Sequence, residues 1–197
     1  MRYDSEHKQK TREKVITAAA KAIRAKGPEG VGVAQMMADV GLTHGGFYAH
    51  FKSKDDLIAA AFGQMIDDAL ARLHRHTEGV PPRQGLRSYV DFYLSPAHRD
   101  ARPSGCPVAA LASDLPRLSV KLRRSFNDGT ERLIGKFEQL LTGMKMRDAR
   151  ETARSLFAEL VGALLLARME SDAEKSAAIL TASHDAIIAR IGLDRTH

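Results

Sequence analysis

One cysteine, Cys106, stands in a chain of 197 residues. That excludes an internal disulfide and a multi-cysteine zinc site within one chain. Long apolar runs are missing too. The longest, Leu160 to Ala167, is eight residues between Glu159 and Arg168, far short of the roughly 20 that span a bilayer. The first fourteen residues, MRYDSEHKQKTREK, are too polar for a secretory h-region. There is no internal repeat, no low-complexity tract and no hairpin dipeptide between alternating runs. These absences predict a cytoplasmic protein with no membrane partner, and no metal or cofactor is expected.

What is present is globular: 44% hydrophobic, 27% charged, with 30 Lys plus Arg against 24 Asp plus Glu, a net of +6. The excess is uneven. Residues 1–56 carry ten basic and seven acidic side chains, and the remaining 141 carry twenty and seventeen. The same +3 is therefore more than twice as dense in the first quarter, which makes a polyanion a plausible partner there.

Nearly every periodic stretch has a helical period. A first helix is expected from about Glu6 to Ala25, ended by Gly27 and Pro28. Short helices follow at Val33–Val40, closed by Gly41, and at His44–His50, capped by Thr43. Ser53-Lys54-Asp55-Asp56 reads as a capping box opening a long helix through Leu73. A further helix runs to Tyr93, and residues 97–105 read as loop. Helices resume at Pro107–Ser113, Leu118–Leu141, Arg147–Met169 and Ala173–Ile191. The expectation is an all-α protein of about nine helices, divided into residues 1–56 and 57–197.

Residues 33–52 have the layout of a helix-turn-helix, whose second helix enters the major groove of DNA. Phe47 and Phe51, at i and i+4, can anchor that helix in its own core. Gly45 and Gly46 remove side-chain bulk, while His44, Tyr48 and His50 supply polar tips. Two glycines in a short helix cost roughly 1–2 kcal/mol relative to alanine, which a purely structural helix has no reason to carry. Lys54 stands at a helix start, and Thr43 can serve as cap and contact. His74 and His76, two residues apart, do not share a helical face and read as solvated.

From Thr11 to Phe62, and most densely in Asp39–Leu57 (DVGLTHGGFYAHFKSKDDL), the chain resembles the DNA-binding domain of the TetR family of transcriptional regulators. The resemblance implies a dimeric repressor on a palindromic operator, with double-stranded DNA, a second copy and an unknown small-molecule effector as partners. The family often has Ser or Thr at the first cap of the motif. Gly32 stands there in this chain, followed by Ala34 and Gln35, leaving Gln35 as the side-chain contact in that helix. The DNA-binding set is then Gln35, Thr43, His44, Gly45, Gly46, Tyr48, His50 and Lys54.

In the larger part, aromatic and Met side chains suit an adaptable pocket. Expected lining residues are Phe62, Met65, Tyr89, Phe92, Tyr93, Cys106, Leu111, Phe126 and Phe157. Cys106, just ahead of Pro107 at a helix start, is either a thiol-reactive sensor or a buried small hydrophobe, with Arg102 and Lys175 as possible charged neighbours. The last two helices are apolar on more than one face, and the family resemblance implies that they dimerise. Leu156, Leu160, Leu164, Leu180, Ile187 and Ile191 are the expected interface. Competing readings are a helical interaction protein that has lost DNA binding and an all-helical enzyme. The chain shows no nucleophile–base pair, no paired carboxylates at a catalytic spacing and no phosphate loop, so no enzyme is expected.

Overall fold

The helical periodicity becomes nine α-helices in the computed structural model, which describes residues 2–194. In chain order they are α1 (Arg2–Lys26), α2 (Val33–Asp39), α3 (Lys54–Thr77), α4 (Pro82–Tyr93), α5 (Pro96–Asp100), α6 (Pro107–Leu111), α7 (Val120–Gly143), α8 (Ala149–Met169) and α9 (Ala173–Ile191). Three 3-10 turns join them, at His44–Ala49, Arg102–Ser104 and Leu115–Arg117. No strand occurs among the described residues.

Local chemistry sets the ends. Gly41, at φ +76°, lets the Gly41 and Leu42 N–H groups return to the Ala38 and Met37 carbonyls, both at 2.9 Å. This is the left-handed closure that glycine tolerates best, and it makes the tight turn after α2. Ser53 Oγ accepts the Asp56 N–H at 3.1 Å, while the Asp56 carboxylate accepts the Lys52 N–H at 3.1 Å, so the start of α3 is capped reciprocally. The segment expected as loop at 97–105 is instead α5 and a 3-10 turn. Ser95 caps α5 by accepting the His98 N–H at 3.2 Å, and Pro96 follows in the first turn.

Two hydrophobic clusters fill the molecule. One gathers Val15, Ile23, Met37, Phe47, Phe51 and Leu57 through Met65, and also takes Leu111, Leu122 and Phe126. The other begins at Ile66 and holds the inner faces of α4, α7, α8 and α9. The packing therefore divides α3 between Met65 and Ile66, about two and a half turns beyond residue 56. Gly129 of α7 allows the close passage of α3, since a Cβ there would lie 2.6 Å from Ile66 Cγ1.

The six residues expected at a dimer interface are in this second core. Leu156, Leu160, Leu164, Leu180, Ile187 and Ile191 are each 4% exposed or less within the single chain. Within the single chain α8 and α9 bury that face against their own neighbours. The opposite face of α8 carries Ala158, Gly162, Leu165, Leu166 and Met169 at helical spacing, with Leu166 55% and Met169 77% exposed. No helix among the described residues is long and apolar enough to cross a membrane.

Candidate nucleic-acid interface

The site is built on the His44–Ala49 turn, expected as a short helix and found as 3-10. Two consecutive glycines weaken an α-helix, and a single tight turn of 3-10 is a common form for so short a piece. Thr43, in extended backbone, accepts the Gly46 N–H through its hydroxyl at 3.3 Å. Phe47 and Phe51 are buried and stacked at 5.5 Å, and the Arg12 guanidinium of α1 lies 5.0 Å from the Phe51 ring centre. Those anchors turn the other edge outward. Tyr48 is 67% exposed, its ring edge-on to Phe47 at 5.3 Å and to His44 at 6.1 Å.

Gly45 is the informative position. A Cβ built there meets nothing within 4 Å, and its φ does not lie in the left-handed region. Neither packing nor backbone geometry in this chain requires glycine at that place.

The remaining expected contacts differ in exposure. Thr43 and His44 are exposed beside it, and Gly46 is half-buried against Thr43 Oγ1. Gln35 is exposed on α2, its amide donating to Asp39 at 2.8 Å. Lys54 opens α3 and is half-buried. His50 is half-buried with Nδ1 enclosed and without a partner. Burial, then the charges of Lys8 and Arg12, pushes the His50 imidazole below its usual pKa. Lys8 and Arg12 were missed by the motif reading because they lie on α1, more than thirty residues from the turn in sequence.

The expected pocket residues do not converge. Phe62, Met65, Leu111 and Phe126 belong to the N-terminal cluster, whereas Tyr89, Phe92, Tyr93, Cys106 and Phe157 pack in or against the larger one. Five surface clefts among the described residues are lined by other side chains.

Cys106 is buried, its backbone N–H bonded to His98 and its thiol near the Tyr93 hydroxyl and the Arg168 charge. His98 Nε2 accepts the Cys106 N–H at 3.2 Å and Nδ1 donates to the Tyr93 carbonyl at 2.8 Å. The partners thus fix one neutral tautomer, since a carbonyl only accepts and a backbone N–H only donates. Burial drives the His98 pKa down to about 4, with the nearby Arg72 and Arg168 charges acting the same way. Ser95-Pro96, a cap followed by an N1 proline, was the signal that could have placed His98 in a helix. His76 also departs from expectation. It is half-buried, with Nδ1 2.8 Å from Ser88 Oγ and its ring against Tyr89 and Phe92, because α4 folds back over the end of α3.

Residues 15–61 match the family described as bacterial regulatory proteins, tetR family. Residues 82–181 match the C-terminal domain described as transcriptional regulator LmrA/YxaF-like. An HTH-type transcriptional regulator in the lacX 3' region of Lactococcus lactis subsp. lactis is 26% identical over 172 residues, 82% of this chain and 85% of that protein. HTH-type transcriptional regulator LmrA of Bacillus subtilis (strain 168) is 24% identical over 160 residues, 79% of this chain and 85% of its own. Among solved structures, a TetR transcriptional regulator from Chloroflexus aurantiacus J-10-FL is similar at a TM-score of 0.81 and 25% identity, covering 95% of this chain and 96% of that one. The reduced form of E. coli NemR shares the fold at a TM-score of 0.80 and 20% identity, over 90% of this chain and 95% of that one.

Proposed function

Because the chain belongs to the TetR family of bacterial transcriptional regulators, we propose that it is a repressor that binds a palindromic operator as a homodimer. The proteins it matches are regulators, and it is a regulator rather than an enzyme. It would act in the cytoplasm, where the chromosome lies. The observation that carries the reading is the outward edge of the His44–Ala49 turn: an exposed Tyr48 beside a Gly45 that nothing in the chain explains. Tyr48 and Lys54 are assigned to phosphates, which position a protein without reading sequence. Thr43, His44 and Gln35 are assigned to base edges, Gly45 and Gly46 to close approach of the backbone, and His50 to the rim of the contact.

Dimerisation is assigned to the outward stripe of α8, Ala158, Gly162, Leu165, Leu166 and Met169, together with the alanine-rich outer face of α9. An exposed apolar stripe on a long helix is what a partner helix covers.

The effector reading narrows to the residues around Cys106. The Tyr93 hydroxyl is buried beside that thiol, which is a weak partner for it and the one it has. A small molecule that opens the Tyr89, Phe92, Tyr93 and Phe157 packing and satisfies this hydroxyl would favour the conformation it binds. A thiol-reactive effector would act at Cys106 in the same place. Binding to DNA upstream of the protein's own gene tests the core reading. Affinity that falls steeply with salt, with a footprint of two related half-sites, supports it. Equal, weak affinity for unrelated DNA favours the helical interaction protein instead.

A further inference from the structure

A cleft of about 250 Å³ lies where α1 meets α3 and the Arg102–Ser104 turn. Its walls carry Lys21 and Arg24 from α1 and Arg72 and Arg75 from α3, against a single acid, Asp68. That acid is already engaged. Arg24 Nη2 donates to Oδ2 at 3.1 Å and Gln64 Nε2 to Oδ1 at 2.8 Å. Arg24 is 6% exposed, and its Nε is enclosed without a hydrogen-bond partner. Its two amino groups reach the Met65 and Pro103 carbonyls at 3.3 and 3.5 Å, and Arg72 Nη2 donates to the Ser104 carbonyl at 2.8 Å. Burial lowers the Arg24 pKa against the opposing effect of Asp68.

We propose that this cleft binds a small organic or inorganic polyanion bearing carboxylate or phosphate groups, held by Lys21, Arg24, Arg72 and Arg75. Guanidinium groups present planar forks of donors that match carboxylate and phosphate oxygens. Operator DNA does not reach this cleft. Arg72 lies 72 − 54 = 18 residues beyond Lys54 on α3, about 27 Å along the helix from the end that faces DNA. An anion here bridges the helix that packs behind the DNA-contacting turn to the turn that leads into Cys106. It therefore biases how α1 sits on α3. That coupling rests on the reading of the N-terminal helices as a DNA-binding domain; the binding does not.

The test uses the full-length protein, titrated calorimetrically with citrate and separately with pyrophosphate at constant ionic strength and pH 7.5. Saturable binding of one anion per chain is expected. Lys21→Gln combined with Arg75→Gln, both exposed, should weaken it at least tenfold. Arg150→Gln, an exposed control on α8, should leave it unchanged. Binding of citrate alone assigns the carboxylate class, and of pyrophosphate alone the phosphate class. No saturable heat with either, or equal weakening by the control, overturns the site. At saturating anion, operator affinity should move at least threefold in the wild type and not in the double variant. Identical affinities overturn the coupling. Failure of the wild type to bind operator would sink the repressor reading while the calorimetry still decides the site.

Discussion

The two hydrophobic clusters use aromatic residues in opposite ways. In the N-terminal cluster Phe47 and Phe51 are anchors whose burial turns the neighbouring edge outward, and the proposed contacts are what stays exposed. In the larger cluster Tyr89, Tyr93, Phe137 and Phe157 pack on one another, with centroids 5.6–5.9 Å apart, and present little to solvent. An aromatic residue near a functional surface is thus either scaffold or contact according to one residue's step, about a third of a turn, around the helix.

Five substitutions and one pH series would break or sharpen that comparison. Phe47→Ala should cost about 3–5 kcal/mol, the usual loss for a buried phenylalanine. If the clusters unfold separately, chemical denaturation should then show an early transition that abolishes operator binding and leaves the helices of the larger cluster intact. A single transition, shifted as a whole to lower denaturant, would mean that α3 couples the two clusters completely.

The larger cluster should be the pH-sensitive one. His98 titrates near 4 when folded and near 6.5 when unfolded. Between these values the unfolded chain holds a proton that the folded chain does not, so stability is present above pH 6.5 and is lost as pH falls towards 4. The loss should be on the order of 3 kcal/mol across that window. Urea denaturation at pH 7.5, 6 and 5 reads it, and His98→Gln should flatten the slope while lowering stability at pH 7.5. A His98→Gln profile parallel to wild type would assign the slope to other groups.

Leu166→Glu places a charge on the outward stripe of α8 without touching either core. It should weaken self-association at least tenfold, read by sedimentation at micromolar concentration, with melting of the monomer unchanged. Unaltered association would move the interface elsewhere.

The smallest effects belong to the exposed edge. Tyr48→Ala should weaken operator binding about fivefold, roughly 1 kcal/mol for one lost hydrogen bond, across operator sequences alike. Lys54→Ala should lower the salt slope by about one. Thermal stability should stay within about 0.5 kcal/mol for Tyr48→Ala, as for most surface changes. A sequence-dependent loss would make Tyr48 a reader of bases.

The sequence by itself determined the helices and the motif, because both rest on local chemistry. Thr43 and Ser53 cap the helical starts that follow them, Gly41 turns where only a left-handed residue closes so tightly, and Phe47 and Phe51 meet at i, i+4. Those relations span four residues or fewer and are written in order along the chain. The tertiary structure decided everything that joins distant segments. It put Leu111 and Phe126 with the DNA-binding helices, turned Leu160 and Leu180 inward rather than towards a partner, set His98 against Cys106 and brought Arg24 beside Arg72. Apolar periodicity shows that a face will be buried but not by what, since the hydrophobic effect has no direction and rewards a core, a pocket wall and an interface alike.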